Sequence, residues 1–307
     1  MVTAHFGAAK HRMPMQRQSA LMPILATMLG IGFLSLMDAF MKTASLAIGA
    51  YSAALLRAMV GFALIAPLWL LRQPKWPEKP VLRIHLTRGL VGSMMALSFF
   101  YALTKLPLAE TIAISFIAPV VSLYLAALIL GEKIRREAIL GALLGLFGTL
   151  VIVGGKLGRG NFDDDALLGL AAIVISALLY AWNLVLQRQQ ALVAKPTEVA
   201  TFYLGIAALV YLAAAPWLLQ WPNAGALKDI GAAAVLTVGG ALTMSWAYGR
   251  AEAQVLVPME YTGFLWASLF GWIMLAEKPT WTTIAGAALI VIGCLIATRR
   301  RPELSSV

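Results

Sequence analysis

Charge is scarce in this chain, and so are the side chains from which active sites are usually built. Asp, Glu, Lys and Arg make up 12% of its 307 residues, about half the share in a soluble domain. A single cysteine, Cys294, excludes an internal disulfide and any cysteine-ligated metal cluster. The three histidines fall at His5 and His11 in the N-terminal tail and at His85 in a predicted connector, without ligand spacing. No G-x-x-x-x-G-K-[ST] loop is present to cradle a nucleoside triphosphate. Paired aspartates, a histidine metal motif or a Ser/His arrangement within one apolar stretch are also missing, which weighs against a membrane-embedded enzyme. No cofactor or metal is expected. Segments of about ten residues with strict apolar–polar alternation, the mark of a membrane β-barrel, are absent as well.

Apolar residues are abundant, at 61% of the chain, with a mean hydropathy of +0.82. Nearly all of it parses into blocks of roughly 20 residues, each about 30 Å long as a helix and so matched to the hydrocarbon thickness. The expected fold class is an all-α integral membrane protein with ten transmembrane helices. Their approximate ranges are 20–41, 49–71, 85–104, 108–130, 134–154, 166–187, 199–219, 227–248, 254–275 and 280–298. The basic N-terminal segment leads into a full-length span and lacks a small-residue cleavage site, so the first helix reads as uncleaved. The net charge of +10 resides in connectors and tails, where it faces lipid headgroups; nucleic acid is not an expected partner. With the N-terminus inside, sixteen Lys and Arg fall in cytoplasmic segments and six on the opposite side, beside the acidic run Asp163–Asp165. Both termini are then cytoplasmic, which requires an even number of spans.

A 145-residue shift lays the chain on itself. LGEKIRREAILGALLGLFGTL (130–150) then aligns with LAEKPTWTTIAGAALIVIGCL (275–295), with nine of 21 positions identical; composition alone would give about two or three. The same shift pairs Asp38 with Asn183, Tyr101 with Trp246 and Lys105 with Arg250. Each half holds five spans, an odd number, so the halves must enter the bilayer in opposite directions. The connectors agree: GEKIRRE is basic and predicted inside, whereas AEKPTW has lost both arginines and is predicted outside. Inverted repeats of this kind are the usual build of a secondary transporter. A channel would instead tend to show a re-entrant filter or a ring-forming charge motif.

The stretch RGLVGSMMALSFFYALTKLPLAETIAISFIAPVVSLYLAALILGEKIRREAILGALLGLFGTLVIVGG and its echo EYTGFLWASLFGWIMLAEKPTWTTIAGAALIVIG carry a family pattern. Its marks are Pro119 in span four, Gly131 and Glu132 closing that span, and Gly141, Gly145 and Gly148 in span five. The chain resembles the EamA-type branch of the drug/metabolite transporter superfamily over essentially its whole length. The second half departs at Phe264, where the first has Pro119, with Pro258 earlier instead, and at Ala276 in place of Gly131. The two halves are therefore not expected to line a cavity equivalently. The resemblance implies a ten-helix bundle of two repeats, 20–157 and 166–299, joined by a periplasmic connector at 158–165 and flanked by cytoplasmic tails at 1–19 and 300–307. It also implies a central cavity opening alternately to each side. Cargo in such families includes amino acids, nucleotide-linked metabolites, vitamins, polyamines and drugs. Relatives with a similar Asp…Lys in span one and Glu-Tyr in span nine are labelled S-adenosylmethionine importers.

Ionisable groups inside spans cost several kcal/mol unless paired or wet, which singles out Asp38, Arg57, Arg88 and Glu260. Asp38 and Arg57 are expected to form an ion pair toward the outer ends of spans one and two, as packing anchor or as gate. Arg88, one turn into span three, is expected to snorkel to headgroups, with a cavity role as the other reading. Glu260, in VPMEYTGFLW, lies about 9 Å into span nine at helical rise, too deep to snorkel. It should meet a cation: Arg88, a bound proton or a cationic substrate. Its repeat mate is Ser115, so the carboxylate belongs to one half only. Asn183, Tyr101, Trp246, Tyr261 and Trp266 complete the cavity candidates, with helix packing or lipid contact as the plain alternative. Trp69, Trp76, Trp217, Trp221 and Trp281 read as interfacial belt residues. The GxxxG of Gly141 and Gly145 could face the other repeat or a second subunit, leaving monomer and homodimer both open.

The expected function is alternating-access transport of a small organic metabolite across a bacterial inner membrane, with proton coupling through Glu260 as an option. An uncoupled channel or facilitator is the alternative. A reporter fused within AEKPTW should read periplasmic and one within GEKIRRE cytoplasmic; a cytoplasmic reading for AEKPTW would remove the inverted repeat.

Overall fold

The computed structural model describes residues 21–72, 75–106, 108–115, 117–131, 134–157, 164–275 and 281–298. The terminal tails at 1–19 and 300–307, and most of the connectors at 158–165 and AEKPTW, lie outside the described residues. Every regular element within them is a helix. The first half holds α1 (Leu21–Ile48), α2 (Ala50–Leu70), α3 (Lys79–Lys105), α4 (Leu108–Ser115), α5 (Ile117–Leu130) and α6 (Arg136–Leu157). The second holds α7 (Asp164–Val193), α8 (Pro196–Leu212), the single turn α9 (Ala215–Leu218) and α10 (Ala224–Tyr248). It continues through α11 (Ala253–Leu256), a 3₁₀ turn at Val257–Tyr261, α12 (Thr262–Leu275) and α13 (Trp281–Thr298). Helices α1, α2, α3, α7 and α10 are each long and apolar enough to cross a bilayer. Taking α4 with α5, and α11 with the 3₁₀ turn and α12, as one span each gives two sets of five.

Local chemistry sets the boundaries. Gly49, at φ +80°, turns the chain between α1 and α2 by itself, so α1 runs through residues 42–48, where a connector was expected. Gly131, at φ +67°, sits just past α5; only glycine takes that left-handed turn cheaply, which accounts for the glycine of the Gly-Glu pair. Helix α3 starts six residues before the expected position 85, because Pro80 in its first turn lacks a donor that would go unused there anyway. His85 therefore lies inside a helix and not in a connector. Asn223 caps α10, its side-chain oxygen accepting from Ala226 N–H at 2.8 Å. Span nine is interrupted by the 3₁₀ turn where a single helix was expected. Pro258 lies in that turn and removes a backbone donor there.

Packing follows the repeat. Helix α1 packs along α10 as α3 packs along α7, which are the same pair of positions with the halves exchanged; α2 meets α8, and α6 meets α13. At the last interface a Cβ on Gly148 would lie 2.7 Å from Gly286 O, and a Cβ on Gly293 would lie 2.7 Å from Gly141 O. These contacts are mates under the 145-residue shift, as a two-fold axis between inverted repeats requires. The glycine stripe thus serves intrachain packing. Trp76, Trp217, Trp221 and Trp281 are exposed, as belt residues should be, but Trp69 is buried, edge-on to Trp76 and Phe202.

Gly293→Leu and Gly148→Leu should each destabilise the protein by about 1–3 kcal/mol through overpacking against backbone, read as a lowered Tm in detergent. Gly231→Leu, whose side chain would enter open space, is the control and should leave Tm unchanged.

Candidate functional site

A cavity of about 200 Å³ lies between the halves, lined from α1, α2, α3, α4, α7, α8, α10, the 3₁₀ turn and α12. By volume it has room for several water molecules, or for a small metabolite. Asp38, Arg57, Arg88, Asn183 and Glu260 all reach it, so groups from five separate elements converge on one space. The repeat mates Asp38 and Asn183 both line it, as do the mates Ser115 and Glu260.

Four other candidates lie elsewhere. Tyr101 is exposed on the outside of the bundle. Trp246 is half-buried beneath the Arg250 guanidinium, 4.2 Å from its ring centroid. Tyr261 is fully buried with its ring against Gly145. Trp266 packs on Gly32 and stacks on Phe270 at 6.0 Å.

The charged residues do not pair as expected. Asp38 and Arg57 share the cavity, yet no ion pair within 4 Å joins them. Arg57 instead donates from Nη1 to Thr237 Oγ1 at 2.9 Å and lies 5.1 Å from the Phe100 centroid. Arg88 does not snorkel. It is buried, stacked on Tyr203 at 4.7 Å, and donates to Gln187 Oε1 at 2.8 Å and to Gln190 Oε1. Glu260, also buried, meets hydroxyls and not Arg88: Tyr180 donates to Oε2 at 2.6 Å and Tyr248 to Oε1 at 3.1 Å. Two phenols supply strong charge-assisted hydrogen bonds without adding a positive charge.

Six buried side-chain polar atoms lack a partner among the described residues. Four of them belong to cavity-lining residues: Arg57 Nε, Arg88 Nε, Asn183 Oδ1 and Gln187 Nε2. Buried polar groups are nearly always satisfied, so four unused polar atoms on residues that line one cavity set this region apart. The wall between them is aromatic and aliphatic, with Phe99, Phe100, Met95 and Leu34. Among the described residues no His, Cys, Asp and Glu cluster fits a metal.

Tyr180, Tyr203, Tyr248, Gln187 and Gln190 were not singled out from the sequence. Gln187 and Gln190 follow Tyr180 and Asn183 on α7 at spacings of three and four, a polar stripe on one helix face that could have been read as cavity-lining. Tyr248, at the end of a predicted span, resembled any interfacial tyrosine.

Two inverted five-helix repeats around a central polar cavity define a membrane transporter of small molecules. The chain belongs to the EamA-like transporter family, whose model matches residues 20–154 and 167–299. It is 27% identical over 285 residues to the pseudopaline exporter CntI of Pseudomonas aeruginosa (strain UCBPP-PA14), covering 91% of this chain and 96% of that one. It is 31% identical over 244 residues to the aromatic amino acid exporter YddG of Ancylobacter novellus, covering 78% and 81%. A crystal structure with 24% sequence identity superposes with a TM-score of 0.75, covering 92% of this chain and 99% of the other, and shows the same fold.

Asp38→Asn, which removes a carboxylate that no described residue hydrogen-bonds or pairs with inside 4 Å, should leave Tm unchanged or raise it. Tyr180→Phe or Tyr248→Phe, each stripping a donor from buried Glu260, should cost about 1–3 kcal/mol, read by thermal unfolding in detergent.

Proposed function

We propose that the cavity is the transport site for an amphoteric small metabolite, one carrying a carboxylate and an amine on an apolar body. The observation that carries this reading is the set of separately held charges on one aromatic-walled space. Asp38 and Glu260 suit an ammonium; Arg57 and Arg88 suit a carboxylate; Phe99 and Phe100 suit the body between them. The names of the relatives point the same way: an aromatic amino acid carries all three parts. Movement is by alternating access, the two repeats rocking about the cavity. Orientation in a bacterial inner membrane with both termini cytoplasmic is supported by the sixteen-to-six bias of Lys and Arg. A monomer suffices, since the glycine stripe is used within the chain. Glu260 is the coupling group: a buried carboxylate held by two neutral hydroxyls can take up a proton without breaking an ion pair.

In proteoliposomes, L-tryptophan should exchange faster than tryptamine or indole-3-propionate by about 10–100-fold, the value of one or two charge-assisted hydrogen bonds. A pH gradient should accelerate net tryptophan movement, and Glu260→Gln should abolish that acceleration while keeping exchange. Equal rates for all three probes would overturn the amphoteric reading. Acceleration that survives in Glu260→Gln would overturn the coupling.

A further inference from the structure

Arg88 is held by a chain of groups that extends well outside the cavity. His85 and Arg88 are three residues apart on α3, and Gln187 and Gln190 are three apart on α7. Each pair lies on one helix face, and the two faces meet where α3 packs along α7. The Gln190 amide accepts only through Oε1 and donates only through Nε2. Oε1 takes the Arg88 Nη1–H, and Nε2–H goes to His85 Nδ1. With Nδ1 as acceptor, the proton of the neutral ring sits on Nε2, which donates to Glu198 Oε1 at 3.1 Å. Each group thereby fixes the orientation of the next: a flipped Gln190 amide would turn donors toward the Arg88 donors and lose both bonds. His85 is fully buried and stacks on Phe202 at 4.5 Å and 10°, so its ring cannot turn freely.

Helix packing alone does not require these groups. At the pseudo-symmetric α1–α10 interface the 145-residue shift puts Ile230 for His85 and Ala233 for Arg88, and on α2 it puts Ala53 for Glu198, all fully buried. The glutamines' own mates there are Lys42 and Ser45, and the Thr43 hydroxyl donates to Asp229 Oδ2 at 2.8 Å, so that interface has polar contacts of its own but no counterpart of the His85–Arg88 pair. The chain of bonds therefore occurs once, where α3 packs along α7.

We propose that Gln190, His85 and Glu198 are positioning residues that hold the Arg88 guanidinium at the cavity wall for an anionic group of the transported molecule. Gln187 and Tyr203 fix the guanidinium from the cavity side, and Gln190 fixes it from behind. Nε of Arg88 is buried without a hydrogen-bond partner among the described residues, so the guanidinium keeps one donor unused. This assignment rests on reading the cavity as the transport site.

The test is the reactivity of Arg88 toward 2,3-butanedione, an arginine-selective reagent, in the full-length protein in detergent. Modification at Arg88 and Arg57 is followed separately by peptide mass spectrometry. Gln190→Met, similar in length but without the amide, and His85→Phe, which keeps the stack on Phe202 but removes Nδ1, should each speed modification of Arg88 about fivefold. Gln190→Glu, whose carboxylate accepts from Arg88 and, once the ring is protonated, from His85 Nδ1–H, should slow it below the parent rate. Arg57, which touches Thr237 and Phe100 and not this chain of bonds, should change by less than about twofold throughout. An unchanged Arg88 rate in both Gln190→Met and His85→Phe overturns the proposal. So does an acceleration of Arg57 in step with Arg88, which would mean a generally loosened fold. The labelling needs no transport, so this pattern together with failed tryptophan selectivity would refute the cargo reading and leave the positioning role standing.

Discussion

Hydrocarbon offers no partner to a charge or to a free backbone group, so both must be met by protein or by water that protein encloses. That constraint explains why irregular backbone and intramembrane charge occur together here. Span nine is irregular at the 3₁₀ turn Val257–Tyr261, and that turn carries the cavity-lining Glu260. The long helices α1, α2, α3, α7 and α10 run unbroken.

The two-fold relation makes the scaffold and leaves the site asymmetric. Gly148 on Gly286 and Gly293 on Gly141 are interchangeable contacts, and both copies need them because close helix approach is a property of the architecture. Glu260 against Ser115, Arg88 against Ala233 and Arg57 against Phe202 are not interchangeable. A substrate without two-fold symmetry needs a cavity that lacks it too. The separation of roles is visible in burial: the polar atoms without partners cluster on the cavity, whereas the glycine contacts sit on the axis between α6 and α13.

The architecture was legible because repetition and span length are written in one dimension. Nine identities in 21 positions and an odd number of spans per half were enough to give the inverted halves. The isolated charges could also be found, since each stands against an apolar background. Their partners could not. Whether Arg88 meets lipid, Glu260 or Gln190 depends on the rotation of α3 about its axis, and a six-residue error in the start of that helix is more than a full turn. Phenols and amides gave no signal at span ends, where tyrosine is common for another reason. The expected ion pairs failed for a related cause: opposite charges at similar depth suggest a pair, but a cavity between them lets each find a neutral partner instead.

That preference for neutral partners matters physically. A buried ion pair satisfies its own charges and leaves little for a ligand to gain, and breaking one to admit cargo would cost several kcal/mol. Arg57 on Thr237, Arg88 on two glutamines and Glu260 on two tyrosines are each stabilised without being neutralised. A ligand can then add its charge to each group without displacing a competitor. Counted as ionised, the two carboxylates and two guanidiniums sum to zero, so the empty cavity and one holding a zwitterion have the same net charge. Under the proposed alternating access, neither form then carries a net charge penalty when the repeats move, and a cargo with one uncompensated charge would. On that proposal selection by net charge comes from the movement as well as from the contacts, and a proton on Glu260 would shift that balance by one unit.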